Sequence, residues 1–186
     1  MHSGVETEVK IPIGKTDEVM DRIRNAGFTL AVPRLFEANT LYDKPNKELK
    51  NAGMLLRLRE VGGKGVITWK GQGTAGPYKS RPEIETTLGS AEVLGQILEK
   101  LGYERSFRYE KYRTEFRNPS EDGGITVDET PIGNFLELEG PGEWIDRTAR
   151  LLGFTEKQYV LESYGRLYLE DCERRGVQPA NMVFSS

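Results

Sequence analysis

Apolar and charged positions alternate along much of this chain. In residues 5–13, Val5, Val9, Ile11 and Ile13 fall on one parity, and Glu6, Glu8 and Lys10 on the other. Successive side chains of an extended strand point to opposite faces, so this pattern predicts a strand with one apolar and one charged face. Strands are also predicted over 33–43, 54–60, 65–72, 79–88, 104–117, 124–129 and 135–140. The pair 54–60 and 65–72 reads as a hairpin across 61–64, and 118–123 and 131–134 carry turn residues. Segment 44–53 reads as a polar loop.

Helical spacing interrupts this pattern at three places. Val19, Ile23 and Ala26 share one face of 15–26, with Thr16 as expected N-cap and Gly27 as stop. Val93, Leu94, Ile97, Leu98 and Leu101 do the same in 90–101, between Ser90 as cap and Gly102 as stop. Segments 143–152 and 160–175 read as closing helices, and GVQPANMVFSS as a poorly packed end. The expectation is a single α+β domain over 1–175 with a tail over 176–186. About eight mostly antiparallel strands and no regular βαβ alternation define it.

The polar parity of these strands is charged rather than mixed. It offers Glu6, Glu8 and Lys10, then Arg57 and Arg59, then Lys70, then Glu83 and Glu85. Lys111, Arg113 and Glu115 follow, then Asp128, then Glu137 and Glu139. One reading is a set of solvated faces, because charged residues favour the surface. The other is a closed antiparallel barrel whose apolar residues face outward onto helices and whose charges line a lumen; about eight strands suffice to close one. Luminal charges are costly unless paired or bound to ligands. Bases that grip phosphate oxygens and carboxylates that hold Mg²⁺ or Mn²⁺ would together take a polyanion such as a triphosphate.

Composition narrows the chemistry. Twenty-six basic and 29 acidic residues leave a net charge of −3, without the basic excess of a general nucleic-acid binder. One cysteine, Cys172, excludes an intrachain disulfide, and with the one histidine, His2, it excludes a zinc site built from these two residue types. His2 stands at a terminus expected to fray, so a Ser-His-Asp triad is excluded unless that residue is ordered into the site. No apolar run approaches the roughly 18–20 residues of a membrane span. Cytoplasmic residence is expected.

Other motifs are set aside. Gly71, Gly73 and Gly76 match a dinucleotide fingerprint, but Pro77 and a strand follow where a helix is required, so an inter-strand loop is expected. Gly14-Lys15-Thr16 reads as a helix start rather than a phosphate loop. Cys172, Trp69 and Trp144 read as packing residues, and Tyr42 as either luminal or external.

VETEVK, LYDKP, MLLRLRE, ITWKG, PEIETTL, YEKYRTEF, ITVDETPIGNFLELEG and SYGRLYLE occur in that order. Through them the chain resembles the CYTH superfamily, or triphosphate tunnel metalloenzymes, across residues 5–170. That group includes class IV adenylyl cyclases, thiamine triphosphatases and inorganic tripolyphosphatases. The resemblance implies divalent metal, Mg²⁺ or Mn²⁺, on Glu6, Glu8, Asp128, Glu137 and Glu139. It implies a triphosphate held by Lys10, Arg57, Arg59, Lys70, Lys111 and Arg113. Glu6, Glu8, Lys10 and Asp128 are the implied catalytic set, with Glu83 and Glu85 positioning bases or a second metal. Cyclases of this kind often carry a histidine-phenylalanine pair before E-x-E-x-K and one glutamate on the last strand. Here His2-Ser3 lacks the phenylalanine, and FLELE has two glutamates. A triphosphate hydrolase is therefore the first expectation, a cyclase the alternative, and a non-catalytic polyphosphate or nucleotide binder a third. The expected partner is a small-molecule triphosphate, with no nucleic acid or membrane, and a homodimer is left open.

Overall fold

A computed structural model describes residues 2–185; Met1, Ser186 and the side chains of His2 and Ser3 lie outside the described residues, and so does any role of the His2 imidazole. The strands are β1 (His2–Ile13), β2 (Thr29–Asp43), β3 (Leu55–Val61), β4 (Lys64–Lys70), β5 (Lys79–Leu88), β6 (Glu104–Arg117), β7 (Gly124–Thr130) and β8 (Gly133–Glu139). They close into an antiparallel barrel in the order β1-β5-β4-β3-β2-β6-β7-β8. The helices are α1 (Thr16–Asn25), α2 (Glu48–Asn51), α3 (Ala91–Lys100), α4 (Gly142–Leu151) and α5 (Tyr164–Arg175). Among the described residues no helix is long and apolar enough to cross a membrane.

The expected closed barrel with charges inside and helices outside is what forms. Strand β7 shows why both parities are buried. Ile125 and Val127 turn outward into the main core with Val9, Ile11, Phe116, Leu136 and Leu138, under Val19 and Ile23 of α1 and Trp144 and Ile145 of α4. Thr126 and Asp128, on the opposite parity, are equally buried but face the barrel interior. A second apolar cluster seats Leu98 of α3 on Tyr42 and Leu58, which settles Tyr42 as an external packing residue. Trp144 packs edge-on against Phe28 and Cys172 is buried, as expected of packing residues. Removing a side chain such as Leu136 from this layer costs about 2–5 kcal/mol.

The local expectations fail where the chain ends or turns. Lys15, not Thr16, is the N-cap of α1, and it makes no side-chain cap bond; Asp17 and Glu18 in the first turn face the helix dipole instead. Segment 44–53 contains the short α2, whose amides Leu49 and Lys50 are held by the Asp43 carboxylate at 2.9 and 3.0 Å. The closing helix begins at Tyr164 rather than residue 160, because Val160 is taken by β1. Lys10 N donates to Val160 O at 3.0 Å and Val160 N to Lys10 O at 2.8 Å. That edge of β1 is open because β5 pairs only as far as Glu8.

The tail is exposed over residues 176–181, as expected, but docks at Met182. Strand β7 pairs with β6 only from Tyr112 onward, leaving the edge at Arg108–Glu110 open. Residues around Met182 fill it: Met182 N donates to Arg108 O and Glu110 N to Met182 O. Met182 is fully buried against Tyr109, Phe135 and Tyr164. Unpaired backbone groups at a buried edge are costly, so both open edges recruit chain that the sequence pattern alone reads as irregular.

Candidate active site: a charged tunnel

The barrel encloses a cavity of about 330 Å³. Of the residues expected in the site, Glu6, Glu8, Lys10, Arg57, Arg59, Lys70, Glu83, Glu85, Lys111, Arg113, Glu137 and Glu139 all line it. Register explains this convergence. Glu8 stands opposite Glu139, and Lys10 opposite Glu137, across the β1–β8 pair. Lys70 stands opposite Glu83 across β4–β5, and Arg113 opposite Asp128 across β6–β7.

Acids and bases interleave into one network. Lys10 Nζ lies 3.0 Å from Glu8 and 3.2 Å from Glu137. Lys70 bonds Glu6 and, at 2.8 Å, Glu83. Arg57 donates to Thr68 at 3.1 Å and Glu85 at 3.4 Å, while Thr68 donates to Glu85 at 2.7 Å. Burial alone would raise the Glu8 and Glu137 carboxyls. Lys10 and Lys79 overcome it at Glu8, and Lys10 and Arg113 at Glu137, holding both well below the usual carboxylate range. Lys10 is raised in turn, because Glu137 and Glu8 outweigh its burial.

Asp128 departs from its expected place. It is fully buried and does not line the cavity. Arg113 grips it with two bonds, of 2.7 and 2.6 Å; Lys111 adds one at 2.8 Å and the Tyr164 hydroxyl another at 2.7 Å. Arg113 also reaches Glu137. Both Asp128 oxygens are occupied by donors, so it acts here as an anchor for two cations rather than as an open metal ligand. Burial and the charges of Asp128 and Glu137 push the Tyr164 phenol well above its usual range, so it remains a neutral donor.

Several site residues escaped the sequence reading. Glu37 and Asn39 of β2, buried behind the cavity like Asp128, join the network by accepting from Arg59; the luminal parity of β2 runs on the same repeat but carries few charges. Glu37 sits 3.4 Å from Arg59 and 3.7 Å from Lys111. Burial opposes ionisation there, and Lys111, Arg113 and Arg59 overcome it, lowering its carboxyl to about 2. Lys79 and Arg81 share the parity of Glu83 and Glu85, and carrying that parity two and four residues upstream of Glu83 would have found them. Lys79 bonds Glu8 at 2.6 Å; burial and Lys10 together lower its ammonium to about 8. No strand pattern could have flagged Tyr164, which enters from α5.

Two features bear on what the tunnel can hold. The Nε atoms of Arg57 and Arg81 are buried with no hydrogen-bond partner among the described residues, although both arginines line the cavity. Glu139, at the outer end of β8, makes no ion pair among the described residues, and partial burial with Glu6, Glu8 and Glu137 pushes its carboxyl up to about 7. Glu6, Glu8 and Glu137 are paired with bases and Glu139 is not, and together they form an all-oxygen donor set of the kind that suits a hard divalent cation. Among the described residues no three of these carboxylates stand close enough to form a cage as they are.

Three comparisons with known proteins bear on this site. The family model described as CYTH domain matches residues 4–164. A Methanocaldococcus jannaschii protein named as a candidate adenylate cyclase is 27% identical over 136 residues, covering 73% of this chain and 76% of that protein. A solved structure from Vibrio parahaemolyticus, also named as a candidate adenylate cyclase, superimposes with a TM-score of 0.78 at 22% identity, covering 89% of this chain and 98% of that one. A Hippeastrum structure, described as a candidate adenylyl cyclase with a dominant triphosphatase activity, superimposes with a TM-score of 0.62 at 15% identity, covering 96% and 98%. At these identities the two structures establish the likeness of fold.

Proposed function

The chain belongs to the CYTH domain family, and on that premise we propose that it is a divalent-metal-dependent phosphohydrolase acting on a triphosphate bound in the tunnel. The family itself points to a cyclase-like or triphosphatase-like enzyme that uses a divalent metal. The observation that carries the finer reading is the pair of buried guanidinium Nε donors without a partner among the described residues, on Arg57 and Arg81, two arginines of a cavity also lined with Lys10, Arg59, Lys70, Lys111 and Arg113. A ligand without acceptor oxygens would leave these donors unsatisfied and the bases around them without a counter-charge. A chain of phosphates supplies acceptor oxygens at each, in the bidentate geometry that guanidinium favours.

Each group then has a task. Arg57, Arg59, Lys70 and Lys10 grip the phosphates, while Lys111 and Arg113 turn to them from Asp128. Glu6, Glu8, Glu137 and Glu139 would hold Mg²⁺ or Mn²⁺, with Asp128 available to a cation only as its two bases swing toward the phosphates. When bound, such an ion supplies Lewis-acid neutralisation of phosphoryl charge and a more acidic water. Glu83 and Glu85 hold Lys70 and Arg57 in place. Positioning and charge neutralisation are most of what phosphoryl transfer asks of a protein.

Hydrolysis is favoured over cyclisation because both last-strand glutamates, Glu137 and Glu139, line the cavity. The Hippeastrum relative, named for one activity and dominated by the other, fits the same reading. The cyclase reading stands second, on the 27% identity to the Methanocaldococcus jannaschii candidate cyclase. One assay separates them: incubation with Mg²⁺ or Mn²⁺ and, in turn, tripolyphosphate, thiamine triphosphate and ATP, with products resolved. Orthophosphate release supports the hydrolase, cyclic AMP with pyrophosphate the cyclase, and tight binding without turnover a binding module.

A further inference from the structure

Tyr164 opens α5, outside the barrel, yet its phenol reaches the most buried carboxylate of the tunnel wall. Its hydroxyl donates to Asp128 Oδ2 at 2.7 Å. Its ring centroid lies 5.2 Å from the ammonium nitrogens of both Lys10 and Lys111. Packing fixes it there. Phe135 meets the ring edge-on at 5.4 Å, Met182 closes the same apolar cluster, and the Ser163 hydroxyl caps the helix at Arg166 N.

We propose that Tyr164 is a positioning residue of the tunnel: it keeps Asp128 hydrogen-bonded while Lys111 and Arg113 turn from that carboxylate to the phosphates, and so sets the affinity for the triphosphate. This rests on the reading of the cavity as a triphosphate site. Asp128 is fully buried, and three groups donate to it. Two are cations that line the cavity, so a polyanion entering it competes with Asp128 for both. A buried carboxylate stripped of donors is strongly destabilised. The third donor is a neutral phenol, drawn to phosphate far less than an ammonium or guanidinium, and it stays behind. The ring face also offers the two lysines a cation–π contact as they move. Without the hydroxyl, Asp128 keeps its hold on Lys111 and Arg113, and the substrate binds less tightly.

The test compares Tyr164→Phe with Tyr168→Phe, which removes from the same helix a hydroxyl that accepts from Ala180 N in the tail, at a residue tilted against Phe107 and absent from the cavity lining. Calorimetric titration with tripolyphosphate in EDTA reads binding to the cationic groups without turnover. Y164F should raise Kd about tenfold, and with Mg²⁺ should raise KM about tenfold while kcat stays within threefold. Y168F should match the parent, and both variants should melt within a few degrees of it. A Y164F protein with parental Kd and KM overturns the inference alone, as does equal weakening in both variants. A parent that binds no tripolyphosphate overturns the functional reading and the inference with it.

Discussion

Replacing Glu37 by Gln should remove a pH-dependent part of this protein's stability that can be worked from the tunnel's geometry. Glu37 is 3% exposed and sits within 3.4 Å of Arg59 and 3.7 Å of Lys111. Its carboxyl stands at about 2, against 4.5 for a free side chain. A folded-state pKa below the unfolded one means that the ionised form is favoured by folding. The stabilisation is complete above pH 4.5 and disappears as pH falls through 2. With each pKa unit worth about 1.4 kcal/mol, it amounts to about 3 kcal/mol at pH 7 and about 1.4 kcal/mol at pH 3. Urea unfolding of parent and E37Q at both pH values isolates it. The parent should lose about 2 kcal/mol more than the variant between pH 7 and pH 3. Two parallel pH profiles, with a constant difference between the proteins, would refute the claim that Arg59 and Lys111 hold this carboxylate ionised.

Further outcomes follow from the same geometry. Arg57→Ala should raise KM for tripolyphosphate by about 10- to 100-fold, since a charged hydrogen bond is worth roughly 1.5–3 kcal/mol; steady-state kinetics at saturating Mg²⁺ reads it, and an unchanged KM would remove Arg57 from the phosphate site. Desolvation and the carboxylates of Glu6, Glu8 and Glu137 push the Glu139 carboxyl up to about 7, so taking a cation there releases a proton. Half-saturation by Mn²⁺ should therefore rise as pH falls from 8 to 6 in the parent, and much less so in Glu139→Gln. Leu136→Ala, in the fully buried layer beneath α1 and α4, should cost about 2–5 kcal/mol in unfolding free energy while leaving KM unaltered at temperatures where the variant is folded.

The charged parity of the strands was legible from the chain alone. Glu6, Glu8 and Lys10 alternate with Val9 and Ile11, and Arg57 and Arg59 with Leu58, because a strand's two faces are a local consequence of backbone geometry. That repeat identifies the luminal side chains of β1, β3, β4, β5, β6 and β8 before any strand has a neighbour. It does not say which strand lies beside which. Asp128 has the right parity, yet it is sealed under Lys111, Arg113 and Tyr164 because β6 pairs with β7 in one particular register and α5 crosses that end of the barrel. Glu37 carries no neighbouring charge on its own strand to mark it, and its meaning comes from Arg59 and Lys111 on the two strands that flank β2.

The same division holds for the chain's ends. The segment around Met182 has no strand repeat, and Val160 sits inside an apparent helical spacing. Each is drawn into place by an open backbone edge that exists only once β5 and β7 have stopped pairing with β1 and β6. Sequence by itself determined that there would be charged strand faces and outward apolar ones, since both follow from contacts between near neighbours in the chain. Only the tertiary structure decided which carboxylates face the cavity, which are held beneath it, and which phenol holds one of them, since those depend on pairings between residues far apart in sequence.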